Sequence, residues 1–588
     1  MPASNWKRTT PYSSRSLESD ALIAPRWHPK RSACVMAVMT LAFAALVARA
    51  GWVQIVEHDF HVAQGEKRHR QMLALEAKRG PIVDRHGALL AVSLTTYEIW
   101  AEPERIDRTA IEPLAKALAL PLAQVRERLD SGRSHVLLKR HVDAQAASRI
   151  ADLGVAGIAQ VPSSKRFYPE GESAAHVVGL TDADDVGQEG IELAADARLT
   201  GEPGEREVIR DRLGRIVSDL RPLVPAHHGQ TVRLTIDRRI QQLAFAQLKA
   251  ALERHRAQAG SVVVLDARSG EILALANAPS FDPNARADLT ANTMRNRAVV
   301  DTFEPGSTIK PLAIATALDA GKVRPDTLID TAPGWYKIGP NTIHDTSNHG
   351  TVSVAQALAT SSNIALAKIA LTLPAETLWT AYRQYGIGLA PPLPFPGVSA
   401  GKLRPWQRWR PVEHATMGYG YGLSTSLLQI AQAYTALAGD GTVKPVALTT
   451  QDDSPDAALA PESTPANAAP SLRVTTESSA AALRIMLEAA TLAGGTGGAA
   501  RVEGYRVGGK TGTAWKHAGK GYAKGKYRSL FVGIAPIDAP RLVVAVMIDE
   551  PSSRSYYGGA VAGPVFSAVA GGALQLLGVP PSPSMPET

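Results

Sequence analysis

The sequence is poor in cysteine: its 588 residues hold one, Cys34. A single thiol closes no intrachain disulfide and builds no cysteine zinc site. It lies in the most apolar stretch of the chain, where a small lipid-facing or core residue is the plain reading. Charge of one sign is also scarce. The formal net charge is +8, from 63 Lys and Arg against 55 Asp and Glu, and it is spread along the chain. There is no dense basic stripe and no nucleic-acid motif, so nucleic acid is not expected as a partner. Weak attraction to anionic lipid or an acidic polymer fits better. No metal and no cofactor are expected. Global disorder is excluded by a 45% hydrophobic content, and the length calls for two or three domains.

Long apolar runs are equally rare, and the one that stands out lies near the amino terminus. Residues 1–31 carry Lys7, Arg8, Arg15, Arg26, Lys30 and Arg31 against Glu18 and Asp20. Residues 33–48 follow without a charge. As a helix they span about 24 Å, short of the ~30 Å hydrocarbon core of a bilayer. Continuing to Val56 makes the segment long enough, with Arg49 snorkelling and Trp52 in the headgroup belt. A cleaved signal peptide is the rival, because Ala48-Arg49-Ala50 has a small-x-small pattern. The long leading segment argues against it. The expectation is a cytoplasmic tail over 1–31 and a single transmembrane helix over 32–56. Everything beyond lies outside the inner (cytoplasmic) membrane, because basic flanks stay inside.

Residues 57–229 mix alternating runs with polar helical stretches and show no catalytic constellation. They read as a spacer or docking module, with helices over 114–129 and 143–153 and a strand pair or hairpin over 89–99. A second module starts at 230. Residues 236–254 form an amphipathic helix; 261–266 and 271–277 are strands joined by a turn. Further strands are expected at 505–516, 529–535 and 542–548. Together they make a five-stranded antiparallel sheet with helices on its faces, an α/β (α+β) fold. Residues 451–470, rich in Ala, Pro, Ser and Asp, read as a flexible loop, and 579–588 as a disordered tail.

Three short segments carry chemistry. Glu304-Pro305-Gly306-Ser307-Thr308-Ile309-Lys310-Pro311 opens a helical run ending at Gly321, with Ser307 at its start and Lys310 one turn on. A serine hydroxyl is a weak nucleophile, and a neutral lysine within reach can take its proton. Thr360-Ser361-Ser362-Asn363 sits between helical runs 352–359 and 364–371. There a hydroxyl and a carboxamide face one site, although both residue types also suit a helix cap. Lys510-Thr511-Gly512-Thr513 lies on a strand, offering a cation and a backbone N–H at an edge that Gly512 leaves open. Each segment alone is common.

The three in this order are the signature of penicillin-interacting enzymes. The sequence resembles the peptidoglycan D,D-transpeptidases, specifically the monofunctional class B penicillin-binding proteins, over most of residues 32–578. Arg79-Gly80-Pro81-Ile82-Val83-Asp84-Arg85-His86-Gly87, Arg166-Phe167-Tyr168-Pro169 with Ala175-His176, and Glu189-Gly190-Ile191-Glu192 are similar to that class's amino-terminal module. Residues 57–229 then correspond to its pedestal or dimerisation-type module and 230–578 to its transpeptidase domain. The acid in Phe303-Glu304-Pro305-Gly306, and Tyr556-Tyr557-Gly558-Gly559 before Gly563-Pro564-Val565-Phe566, resemble the division-specific, FtsI-like branch. Two departures stand out: the Pro/Ala-rich stretch at 451–470, and Trp515 where smaller or charged residues are usual.

The resemblance implies Ser307 as nucleophile, Lys310 as its base and Ser361 as proton relay. The N–H groups of Ser307 and Thr513 would form the oxyanion hole. Asn363, Lys510, Thr511, Gly512 and Thr513 would line the substrate. It implies stem peptides as substrates, a D-Ala-D-Ala donor and an amine acceptor, with β-lactams as covalent inhibitors. A membrane glycosyltransferase and other division proteins would be partners. A serine β-lactamase or penicillin sensor shares the first motifs but leaves the large pre-catalytic module unexplained, and no Glu-led deacylation motif is present. A non-catalytic division scaffold is the other rival. Lys516, His517, Lys520, Lys524, Lys526 and Arg528 crowd a Gly-rich loop, either a solvated hairpin or an attractor of acidic cell-wall polymer.

Overall fold

The computed structural model describes residues 29–60, 70–210, 216–286, 289–393, 395–450, 472–519 and 521–583. The expectations for residues 1–28, 451–470 and 584–588 fall outside the described residues. The chain divides into two compact units, Met1–Ala74 with Glu205–Val224, and Leu75–Gly204 with Pro225–Thr588.

In the first unit, helix α1 (Pro29–Gly51) continues through one wide turn, Trp52–Val56. This Pro29–Val56 segment of 28 residues is long and apolar enough to cross a membrane. Arg49 and Trp52 at its end both reach the Glu57 carboxylate, at 3.3 and 3.1 Å. The unit also holds a three-stranded sheet in the order β1 (Arg70–Leu75), β6 (Gly204–Arg210), β7 (Ile216–Val224).

The second unit begins with a sheet of β2 (Ile82–Val83), β3 (Leu89–Ala101), β4 (Val136–Val142), β5 (Ile158–Phe167) and β8 (Val232–Arg233). Residues 89–99, expected as a strand pair or hairpin, are one continuous strand: Thr95 and Thr96 stay paired with β5 and no turn residue interrupts them. The helix expected over 114–129 is two, α2 (Ile111–Ala117) and α3 (Leu122–Leu129), because Pro121 cannot continue the first. Helix α4 (Ala144–Asp152) forms as expected, capped by Asp143. Val232 pairs in parallel with Ile82, so this sheet draws on residues from both sides of position 229/230.

The three amino-terminal motifs meet inside this region. Arg79 Nε and Arg166 Nε each donate to Glu192 at 2.7 Å, and Arg79 Nη1 donates to Asp196 at 2.8 Å. The Arg79, Arg166 and Glu192 side chains are buried. Their work is to fasten separate segments together, since two buried guanidinium groups are balanced by the buried Glu192 carboxylate and the partly exposed Asp196 one.

The catalytic-type sheet is antiparallel throughout. Its order is β10 (Ile272–Ala278), β9 (Ala259–Asp266), β13 (Leu542–Asp549), β12 (Gly521–Ala535), β11 (Gly508–Ala518). Its five strands are those the sequence predicts, with β12 reaching further toward its turn than 529–535. Along β9, Val263 and Leu265 enter one core while Val262 and Val264 enter the other, so both faces are covered. Each buried aliphatic side chain contributes roughly 1.5–3 kcal/mol relative to exposure. Helices α5 (Arg238–His255) and α9 (Gly563–Leu576) close one face. Helices α6 (Lys310–Asp319), α7 (Asn363–Thr372) and α8 (Leu427–Ala438) fill the other. The last described residues are pinned rather than loose: Tyr505 OH donates to Val579 O at 2.7 Å, and Ser582 N to Gly504 O at 2.9 Å. Val579 and Ser582, expected within a disordered tail, are thus held by the fold.

Candidate active site

Ser307 lies in a single 3-10 turn, Gly306–Ile309, that feeds directly into α6 at Lys310. Pro311 at the second helical position costs no hydrogen bond there. Gly306 holds φ +53°, and an added Cβ would stand 3.6 Å from Thr513 O. Gly420 runs alongside, with Gly306 N donating to Gly420 O at 3.2 Å. Gly306, Thr308, Ile309 and Lys310 are buried, while Ser307 remains partly exposed. Tyr434 OH, buried, donates to Thr308 O at 2.7 Å and props the turn from beneath.

The Lys310 ammonium is fully buried. Nζ donates to Ser361 O at 2.6 Å, Asn363 Oδ1 at 2.9 Å and Ser361 Oγ at 3.3 Å. Among the described residues no hydrogen bond joins it to the Ser307 hydroxyl, which is one helical turn away. Burial holds the Lys310 pKa well below the ordinary lysine value; the Lys510 charge adds to this, and Asp345 opposes it.

Ser361 takes a left-handed backbone, φ +63°, rare for a residue with a side chain. Asp345 holds that turn in place. Its Oδ1 accepts from Asn363 N at 2.5 Å and Ile364 N at 3.1 Å, and its Oδ2 from Ser362 Oγ at 2.5 Å. Ser362, not Asn363, caps α7, accepting from Ala365 N at 3.0 Å. Asn363 is held at both ends: Oδ1 by Lys310, and Nδ2 by His344 O at 3.1 Å. Asp345 has no motif of its own and no spacing signal, and the sequence reading passes over it.

Strand β11 is the edge of its sheet, with one side free of a neighbour. Gly512 is needed because a Cβ there would sit 2.9 Å from Thr308 Cγ2 and 3.2 Å from Pro305 O. The glycine thus lets the Ser307 turn lie against the strand, which brings the first and third motifs together. The ring of Phe531 occupies the space beside Gly509, 2.6 Å from an added Cβ. Lys510 is fully buried and turns back on Thr511, donating to its Oγ1 at 3.1 Å and its O at 3.3 Å. Burial pushes its pKa down to about 7. The Thr511 hydroxyl also pairs with Thr496 Oγ1 at 2.8 Å, and Thr513 Oγ1 accepts from Gly558 N at 3.1 Å. Ser307, Ser361, Asn363 and Thr513 are the members that remain partly exposed, so the cluster has one open side.

This is a serine one helical turn from a buried lysine whose pKa burial lowers, with a second hydroxyl, backbone N–H donors and a second buried lysine. It suits acyl transfer through a covalent serine ester. Among the described residues no cluster of His, Cys, Asp and Glu is arranged to hold a metal. The basic loop is mostly paired. Lys516 Nζ lies 2.6 Å from both Asp549 and Glu550, Lys526 2.8 Å from Glu550, and Arg528 3.3 Å from Asp549. The side chain of Trp515 is taken up by an aromatic contact, its ring 4.5 Å from that of Tyr527.

Comparison with known proteins gives the same reading of both halves. Residues 260–571 match the family model of the penicillin binding protein transpeptidase domain, and 74–234 that of the penicillin-binding protein dimerisation domain. The probable peptidoglycan D,D-transpeptidase PenA of Neisseria gonorrhoeae is 42% identical over 560 residues, 94% of each chain. The peptidoglycan D,D-transpeptidase FtsI of Escherichia coli K12 is 36% identical over 561 residues, 94% of this chain and 92% of that one. The apo transpeptidase domain of Burkholderia pseudomallei penicillin-binding protein 3 is 44% identical at TM-score 0.53, covering 60% of this chain and 98% of that one. A peptidoglycan synthetase from Bifidobacterium adolescentis is 26% identical at TM-score 0.68, covering 88% of this chain and 98% of that one.

Proposed function

The chain belongs to the class B penicillin-binding proteins, the FtsI-type peptidoglycan D,D-transpeptidases, and from that premise we propose which of its residues carry the acyl transfer. The enzyme cross-links peptidoglycan stem peptides through a serine acyl-enzyme, and β-lactams occupy the same site. It is a single-pass membrane protein with its apolar helix near the amino terminus.

Ser307 Oγ attacks the penultimate D-Ala carbonyl of a donor stem. Its proton passes to Lys310 Nζ, the C–N bond breaks, and the terminal D-Ala departs with a proton returned through Ser361 and Lys310. The N–H groups of Ser307 and Thr513 receive the oxyanion. Lys510, Thr511 and Thr513 hold the terminal carboxylate along the edge that Gly512 keeps narrow, and Asn363 orients the stem once it exchanges a protein partner for a substrate amide. An acceptor amine then attacks the ester and releases Ser307. The observation that carries this assignment is the burial of Lys310 one turn from Ser307, without a bonded carboxylate among the described residues, which favours the neutral amine a base must be.

The proposed layout has residues 57–229 as a pedestal and 230–578 as the catalytic domain. The amino terminus is cytoplasmic, the catalytic domain is on the outer side of the inner membrane, and the protein works at the division site. A membrane glycosyltransferase and other division proteins are its proposed partners. Labelling with a fluorescent penicillin tests the core of the proposal: wild type gives a stable covalent band and Ser307→Ala gives none while keeping a cooperative melt. A band of equal strength in the variant overturns it.

A further inference from the structure

Glu304, three residues before Ser307, is buried, yet it has no basic neighbour on its own segment. Its carboxylate bridges two separate parts of the site. Oε1 accepts from Gly422 N at 2.8 Å. Oε2 accepts from Tyr522 OH at 2.9 Å and lies 3.3 Å from His517 Nε2. Gly422 belongs to the segment flanking the Ser307 turn. There Phe303 N donates to Thr425 O at 3.0 Å, and an added Cβ at Gly420 would lie 2.1 Å from Gly306 O. His517 and Tyr522 face each other across the β11–β12 turn as register partners, their rings 4.5 Å apart. Tyr421 packs edge-on against Tyr522 at 6.3 Å.

The hairpin that ends in His517 and Tyr522 is the one whose base carries Lys510–Thr513. The turn that follows Glu304 carries Ser307. These two pieces touch near the reacting atoms, where Gly306 meets Thr513 and Gly512 meets Thr308 and Pro305, and again where the Arg528 guanidinium lies 5.7 Å from the centre of the Phe303 ring. These are packing contacts; the Glu304 hydrogen bonds add a directional link between the Gly422 segment beside the turn and the far end of the hairpin, which fixes the placement of one against the other. We propose that Glu304, through Tyr522 and His517, is a positioning residue that sets the spacing between the Ser307 and Thr513 N–H groups that receive the oxyanion. The inference rests on the assignment of those two donors made above. Oxyanion donors act on the transition state and not on the bound ground state, so their misplacement lowers the acylation step and spares initial binding.

The test is single-turnover acylation of the full chain by a reporter penicillin, separating the dissociation constant of the first complex from the acylation rate constant. The variants are Glu304→Gln, Tyr522→Phe and the double variant, with Ser307→Ala as control. Loss of a donor outright costs about a hundredfold or more, and displacement costs less, so each single variant lowers the acylation rate constant roughly three- to tenfold. Initial binding stays unchanged, and the double variant is no slower than the slower single one, because both remove one linkage. Tyr522 is largely exposed, and Tyr522→Phe decides the matter by itself if Glu304→Gln loses its cooperative melt. An unchanged acylation rate constant, a change confined to initial binding, or additive losses in the double variant overturns the proposal while Ser307→Ala still abolishes labelling. Persistent labelling of Ser307→Ala overturns instead the nucleophile assignment beneath it.

Discussion

Two clusters of buried charge sit in the same compact unit and are built on opposite plans. Around Glu192, two guanidinium groups meet two carboxylates at 2.7–2.8 Å. Burial disfavours the charge on Arg79, but Glu192 and Asp196 more than restore it, so its pKa rises. Around Ser307, the fully buried Lys310 and Lys510 donate, among the described residues, to hydroxyl, carbonyl and carboxamide oxygens, and both pKa values fall. The carboxylate nearest in influence, Asp345, spends its oxygens on the start of α7. The lesson is that charge satisfied by protein fastens segments together, while charge left without a counter-ion is available for substrate.

Breaking the second cluster gives the largest effect on activity. Lys310→Met is expected to lower penicillin acylation about a thousandfold, the range of a lost general base. Its melting temperature stays level or rises, because an apolar side chain of similar length replaces a buried amine. Stopped acylation with a lower melt would mean Lys310 supports the fold instead. Breaking the first cluster reverses the pattern. Glu192→Ala strands the buried Arg166 guanidinium, leaves Arg79 with Asp196 as its remaining counter-ion, and costs about 3–5 kcal/mol in denaturant unfolding. The acylation rate per folded molecule stays at the wild-type value; a comparable loss of rate would erase the distinction between the clusters.

The third effect is smaller and depends on pH. Lys510 titrates near 7 in the folded protein against an ordinary 10.5, so the folded state holds fewer protons between those values. Stability from this group rises as pH climbs from about 7 to 10.5, since the unfolded chain is the form that must give up the proton. Lys510→Met therefore raises the melting temperature most below pH 7 and least above 10.5, flattening the rise. A gain that is equal at all pH values would contradict a depressed lysine.

Much of this was legible in the residues. The order of the three motifs identifies the site, because their chemistry is local: a serine one turn from a lysine, a serine–asparagine turn, a glycine in a strand edge. Four of the five strands were legible because their apolar runs are continuous, whereas β11 carries Lys510-Thr511-Gly512-Thr513 and has none. What escaped is what distance hides. Asp345 precedes Ser362 by 17 positions and carries no pattern, and Asp549 lies 33 positions from the Lys516 it neutralises. The basic loop therefore looked freer in sequence than it is. The role of Glu304 was equally hidden, since Tyr522 stands 218 positions away. Residues 89–99 misled for a different reason: they were expected to form a strand pair or hairpin, yet their β-branched residues suit one uninterrupted strand.

The claim on which the rest depends is that Ser307 receives the acyl group. Proteolysis of the penicillin-treated protein followed by peptide mass spectrometry addresses it directly. The added mass is predicted on Ser307 alone, within the peptide that also contains Lys310. The same mass on Ser361 or on any other residue would contradict the account.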